Sequence, residues 1–219
     1  MLTLYGAMAS RAHRSIWMLK ELGVAFRHEP VDFLDGSTHT PEFLAINPNG
    51  RVPVLRDDDF VIYESMAINL YLARRYGDDV GPKDWREDAL ATQWSFWVVT
   101  EVEKPLLLAS VNRTLFAPEG RREAEAAIAL RKLARPWTVL DQHLSRQPWL
   151  LGERFTVADL NVATVMDLAP QCAISLAPWP RLQDWHQRCL ARPAASDWRD
   201  VSFSVPRPAD ALGMLAMFV

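Results

Sequence analysis

Three short stretches carry the residue types with chemical potential. Ser10 stands where the helical pattern of SRAHRSIWMLKELG begins, and Glu64 and Ser65 open the pattern ESMAINLYL. Between them NPNGRVPVL, residues 47 to 55, places two prolines and a glycine ahead of an apolar, β-forming run. A serine or a Glu-Ser pair at a helix start serves, at the least, to cap unpaired N–H groups of the first turn. The NPNGRVPVL stretch offers something else. The residue before a proline is held extended and Pro53 has no N–H, so Val52 is expected to turn its amide and carbonyl outward, where an extended ligand can use both. His13 follows Ser10 by three residues, but helical spacing brings such pairs together often and no third group orients it as a base, so it is expected at the surface or behind the site.

These residues need a framework, and the apolar periodicity supplies one. LTLYG reads as a strand ending in glycine; Ala12, Ile16, Leu19 and Leu22 then recur at helical spacing up to Gly23. AFRHEPVDF reads as a second strand, TPEFLAIN as a short helix opened by Thr40 with Pro41 in its first turn, and VPVLRDDDFVIYES as a hairpin. A helix carrying Ile68, Tyr71 and Leu72 closes a β-α-β-α-β-β-α unit. The polar link YGDDVGPKDW separates it from a region of helices only. There Leu90, Trp94, Trp97 and Val98 are expected to form one stripe, and Leu130, Leu133, Trp137, Leu140 and Leu144 another on a long helix that Pro136 bends. RFTVADLNVATVM carries Thr156 and Asp159 in capping-box positions, with Phe155 and Leu160 placed as a hydrophobic staple. Its body is apolar nearly all round, which puts that helix at the centre of the second region. The tail from Val201, ending ALGMLAMFV, is apolar enough to pack, without a readable register.

Composition narrows the function classes. With 219 residues, 49% hydrophobic and 23% charged, the chain can bury the core of a soluble globular protein. A net charge of −3 with interspersed signs gives no basic stripe for nucleic acid and no polybasic membrane patch. No apolar run reaches the roughly 18 residues of a membrane span, and the opening Met1–Tyr5 lacks the features of a signal peptide, so a cytoplasmic protein is expected. Cys172 and Cys189 have neither C-x-x-C spacing nor metal-ligand histidines, and are expected to be reduced and structural.

Taken together, three motifs carry a resemblance that covers essentially the whole chain. NPNGRVPVL resembles the cis-proline loop of the cytosolic glutathione transferases, ESMAINLYL their Glu-Ser pair, and FTVADLNVA the capping motif of their buried second-domain helix. The resemblance implies a thioredoxin-like α/β N-terminal domain over residues 1–78 and a linker at 79–85. An all-α C-terminal domain over 86–219 follows, contributing an electrophile pocket. It also implies a homodimer, glutathione as co-substrate without a metal, and a detoxification-type transfer to a hydrophobic electrophile. In its bacterial, serine-activated form, Ser10 donates to the glutathione sulfur, with Tyr5 the rival activator used by other branches. A free thiol has a pKa of about 8.5, and each unit of lowering needs about 1.4 kcal/mol of preferential thiolate binding.

The remaining implied contacts follow residue by residue. Val52 and Pro53 receive the cysteinyl unit through the backbone. Glu64 and Ser65 hold the γ-glutamyl end, Arg51 occupies a glutathione-binding position where relatives carry Lys, Gln or Arg, and His39 lies where some relatives place a basic residue near the glycyl carboxylate. Met8, Trp94 and Trp97 form the wall of the electrophile pocket. The same resemblance leaves open another glutathione-dependent reaction, such as isomerisation, dehalogenation or peroxide reduction, or a non-catalytic interaction module.

Overall fold

The computed structural model describes residues 1–115 and 118–195. Its first part follows the sequence reading closely. Strand β1 (Leu2–Tyr5) leads through the Ala7–Ser10 turn into helix α1 (Ala12–Glu21), and β2 (Phe26–Glu29) returns parallel to β1. The short α2 (Pro41–Leu44) is capped by Thr40, whose hydroxyl accepts from the Phe43 N–H, and Pro41 stands in its first turn. The hairpin β3 (Val54–Asp57) and β4 (Phe60–Tyr63) completes a sheet of order β2-β1-β3-β4, and α3 (Ser65–Tyr76) follows. β3 runs antiparallel to β1 with Tyr5 opposite Val54, so the ends of β1 and NPNGRVPVL meet at one end of the two central strands.

The second part is helical. Helix α4 (Trp85–Trp97) opens on Asp84, whose carboxylate accepts from the Arg86 and Glu87 N–H groups. It continues through a π-helical stretch, Val98–Glu103, into α5 (Lys104–Ser110). The long α6 (Glu123–Leu144), α7 (Val157–Met166), the short α8 (Leu168–Gln171) and α9 (Pro180–Leu190) complete it. Every residue of α7 is buried, as a body apolar nearly all round requires, with Asp159, Asn161 and Thr164 the polar exceptions. The α7 capping box is present in both directions: the Thr156 hydroxyl accepts a first-turn N–H, and the Asp159 carboxylate accepts the Thr156 N–H at 2.9 Å. Helix α7 packs on α1 and α3 as well as on α4 and α9, so one apolar cluster runs from Leu4, Trp17 and Ile68 through Val98 and Leu160 to Trp137.

Two expectations about helix faces need correction. The α4 stripe turns inward at Ala91, Trp94, Ser95 and Val98; Leu90, one residue or about 100° out of phase, is 42% exposed. Leu130 is only half-buried, and the inner face of α6 is set by Ala126, Ala129, Leu133, Trp137 and Leu140. The α6 helix runs unbroken through Pro136, which is itself buried. The apolar tail from Val201 lies outside the described residues. Among them, no helix is long and apolar enough to cross a membrane. Cys172 and Cys189 are buried and unpaired, and burial pushes the Cys189 thiol well up.

Candidate active site

The turn after β1 is built around Gly6, which adopts φ +133°. A Cβ there would stand 2.8 Å from the Ala12 Cβ, 3.0 Å from the Val52 Cβ and 3.5 Å from the Ser10 Oγ. Only glycine lets the start of α1 and the NPNGRVPVL loop approach this closely, and that approach brings Ser10 and Val52 together. The half-buried Ser10 hydroxyl donates to the Ala7 carbonyl at 2.7 Å and accepts from the Ala12 N–H at 3.1 Å. Its local capping role is therefore real, and its single proton rests on a neutral acceptor at the rim of the turn.

The loop itself is held from inside. The buried Asn47 donates to the Arg51 carbonyl at 2.7 Å and accepts from the Asn49 N–H at 3.1 Å, while Gly50 N–H reaches the Asn47 carbonyl at 3.0 Å. Val52–Pro53 is cis. Because β3 starts only at Val54, Val52 stands outside the ladder, and among the described residues it takes part in no backbone hydrogen bond. The exposed His39 ring lies over Gly50, its Nε2 3.2 Å from where a Cβ would be, and its Nδ1 pairs with the Thr38 hydroxyl at 3.0 Å. Arg51 is exposed beside it.

At the start of α3 Glu64 is exposed and Ser65 buried. Glu64 occupies φ 71°, ψ 113°, a region non-glycine residues avoid at a cost of about 1–3 kcal/mol. Such strain is tolerated where a fixed side-chain direction serves a ligand. The Ser65 hydroxyl accepts from Nη1 of Arg14 at 3.3 Å, and Nη2 of the same guanidinium reaches the Glu103 carboxylate at 2.7 Å. Arg11 donates to that same carboxylate oxygen at 2.7 Å. Burial pushes the Glu103 acid up, but the Arg14 and Arg11 charges outweigh it and hold the carboxyl down at about 2. Sequence reasoning passed over this cluster, and over Asn47: on α1 Arg14 is two residues, or about 200°, from both Ala12 and Ile16, so the apolar spacing of that helix gives it no inward mark.

His13 is partly buried behind Ser10 instead of standing on the surface. Its Nδ1 lies 2.7 Å from the Ser10 carbonyl, and burial, reinforced by Arg14, pulls the imidazole down to about 4. At neutral pH it therefore holds the turn as an uncharged ring. Tyr5 alternates with the buried Leu4, so it points to the opposite face of the sheet. There it lines a groove of about 470 Å³ with Phe43 and Ile46, beneath the Arg56 guanidinium at 5.8 Å.

The remaining pocket residues divide. Met8 is half-buried in the Ala7–Ser10 turn. Trp94, by contrast, is 6% exposed, enclosed edge-on by Trp97 at 5.0 Å and His143 at 4.8 Å, and belongs to the core of the helical part. Trp97 is half-buried against it. The part of this rod that reaches the Ser10 turn is Glu103, through Arg11, about a turn and a half beyond Trp97. Among the described residues, no group of three or more His, Cys, Asp or Glu is placed to hold a metal ion.

Comparison with known proteins gives this geometry relatives. Residues 1–74 match the model of the glutathione S-transferase N-terminal domain, and residues 104–193 that of the C-terminal domain. Glutathione S-transferase 3 of Zea mays is 34% identical, over 88% of this chain and 90% of its own. The disulfide-bond oxidoreductase YfcG of Escherichia coli is 31% identical, over 89% and 92%. Among solved structures, the theta class glutathione S-transferase of Xanthomonas axonopodis pv. citri with glutathione bound superposes with a TM-score of 0.83 at 30% identity. That superposition covers 89% of this chain and 94% of that one.

Proposed function

This chain belongs to the glutathione S-transferase family, with glutathione as its co-substrate, and from that premise we propose that it activates the glutathione thiol at Ser10 for transfer to a hydrophobic electrophile. The observation that carries the reading is the convergence at Gly6 of the Ser10 hydroxyl with a Val52 backbone free of ladder pairing. When a thiolate arrives, the Ser10 proton leaves the neutral Ala7 carbonyl for the anionic sulfur, a stronger acceptor, while the Ala12 N–H bond keeps the oxygen in place. The first-turn N–H groups of α1 add a positive field from the same side. Val52 pairs with the cysteinyl unit, Glu64 and Ser65 with the γ-glutamyl end, and His39 and Arg51 with the glycyl carboxylate. The protein's contribution is lowered thiol pKa and positioning.

Residues 1–78 form the glutathione-binding part of this proposal, 79–85 the link, and 86–219 the part that supplies the electrophile pocket. Met8 and the half-buried Trp97 are retained as its walls. The exposed apolar face of α4, with Trp85 and Phe96, suits a second copy of the chain in a homodimer. Similarity to YfcG makes thiol–disulfide exchange the second reading.

One assay separates these readings. Purified protein is given glutathione with either a chloronitroarene or a mixed disulfide. Transfer to the arene with stoichiometric chloride release supports the proposal; turnover of the disulfide alone moves the assignment to the second reading. Sedimentation of the same sample is expected at twice the 24.9 kDa chain mass.

A further inference from the structure

We propose that Arg14 is a positioning residue for Ser65: its guanidinium, anchored by Glu103, occupies one lone pair of the serine hydroxyl and so aims the hydroxyl proton at the γ-glutamyl carboxylate. The inference rests on the glutathione reading above and assigns an upstream partner to one of its contacts.

Arg14 is 3% exposed and Ser65 4%, so their contact is made out of water, where direction matters more than at a surface. A guanidinium only donates, so in the 3.3 Å contact Ser65 Oγ must be the acceptor, and its own O–H is left to point elsewhere. Ser65 is the first residue of the twelve-residue α3, whose opening N–H groups have no helical partner, and the hydroxyl proton and those groups serve one incoming anion. The planar fork fixes the direction: with Nη2 committed to Glu103 at 2.7 Å, Nη1 has little freedom to leave Ser65. Two further restraints act on the anchor. Arg11 holds the same Glu103 oxygen, and Asn69, itself bonded to Asn161 at 2.8 Å, donates to the Arg14 carbonyl at 3.3 Å. An ion pair meant only to tie α1 to the π-helical stretch would need Nη2 and Glu103; it would not need Nη1 on the serine.

The test is a double-mutant cycle on glutathione affinity, read by calorimetry. Wild type, Ser65→Ala, the charge-balanced Arg14→Met/Glu103→Gln pair and the combination of all three are compared. The Arg14→Met/Glu103→Gln pair is expected to weaken binding about tenfold while leaving the thiol pKa of bound glutathione unchanged. In the Ser65→Ala background the same pair is expected to cost nothing further. Should the pair fail to fold, Arg14→Lys takes its place, with about threefold weaker binding expected only when Ser65 is present, because a point charge cannot hold both partners. Additive losses, or wild-type affinity in the variants, overturn the positioning role and leave the glutathione reading standing. A wild-type protein that does not bind glutathione overturns both.

Discussion

Ser10, in the turn before α1, and Arg14, in the first turn of that helix, are four residues apart, yet only the first was legible as a site residue. Ser10 was marked by its place at the start of an apolar period, and NPNGRVPVL by its prolines, which restrict the backbone whatever surrounds it. Arg14 depended on Glu103, 89 residues away, and no local pattern announces such a partner. For His13 the sequence left two placements, at the surface or behind the site, and the structure takes the second, because its burial comes from packing outside its own helix. Both titrating groups leave a signature. The folded His13 pKa of about 4 lies below its ordinary 6.5, so between these values the unfolded chain binds a proton the folded chain does not, and stability falls as pH drops through that window. The folded Glu103 pKa of about 2 lies below 4.5, so its contribution is complete above 4.5 and lost as pH falls towards 2. Each window, about 2.5 units wide, corresponds to roughly 3 kcal/mol. Urea unfolding followed against pH is expected to lose its slope between 6.5 and 4 in His13→Gln and to keep the lower window; unchanged slopes in both windows would contradict this origin.

Elements were read well where local sequence carries their boundaries. Thr40 with Pro41, and Thr156 with Asp159, open their helices as side-chain chemistry dictates, and the order of elements along the first part follows from the alternation of short apolar runs with helical periods. The α4 rod was read less well. Its inward face was set one residue out at Leu90, and nothing in VVTEVE separates a π-helical turn from an ordinary one, because that choice is made by the neighbours the helix must meet. The α7 cap shows how far a local motif extends. Asp159, besides the Thr156 N–H, accepts from Leu150 N–H at 2.8 Å and Trp185 Nε1 at 2.9 Å, two partners the capping box does not foretell. Asp159→Ala leaves these buried donors without an acceptor and is expected to cost about 3–5 kcal/mol in denaturant unfolding, against about 1 kcal/mol for Thr156→Ala. Equal losses would mean that Asp159 acts as a helix cap and no more.

At the scale of the molecule, the two parts share one core and one buried polar chain. Asn69 of α3 donates to Asn161 of α7, and Asn161 to Ser95 of α4 at 2.8 Å, so the helix that begins at Ser65 is tied directly into the helical part. The division into an α/β and an all-helical part was legible; this union was not, since none of the three residues stands out in its own segment. The same packing puts Glu103 at the Ser10 turn and leaves Trp94 in the core, which the phase of α4 alone could not decide. We propose above that this assembled turn ionises glutathione through Ser10. Titrating the ultraviolet thiolate absorbance of bound glutathione in wild type and Ser10→Ala tests it most directly. The wild type is expected to hold the thiol below its ordinary value of about 8.5, and Ser10→Ala to raise it by about one unit or more. The same thiol pKa in both proteins would contradict the claim.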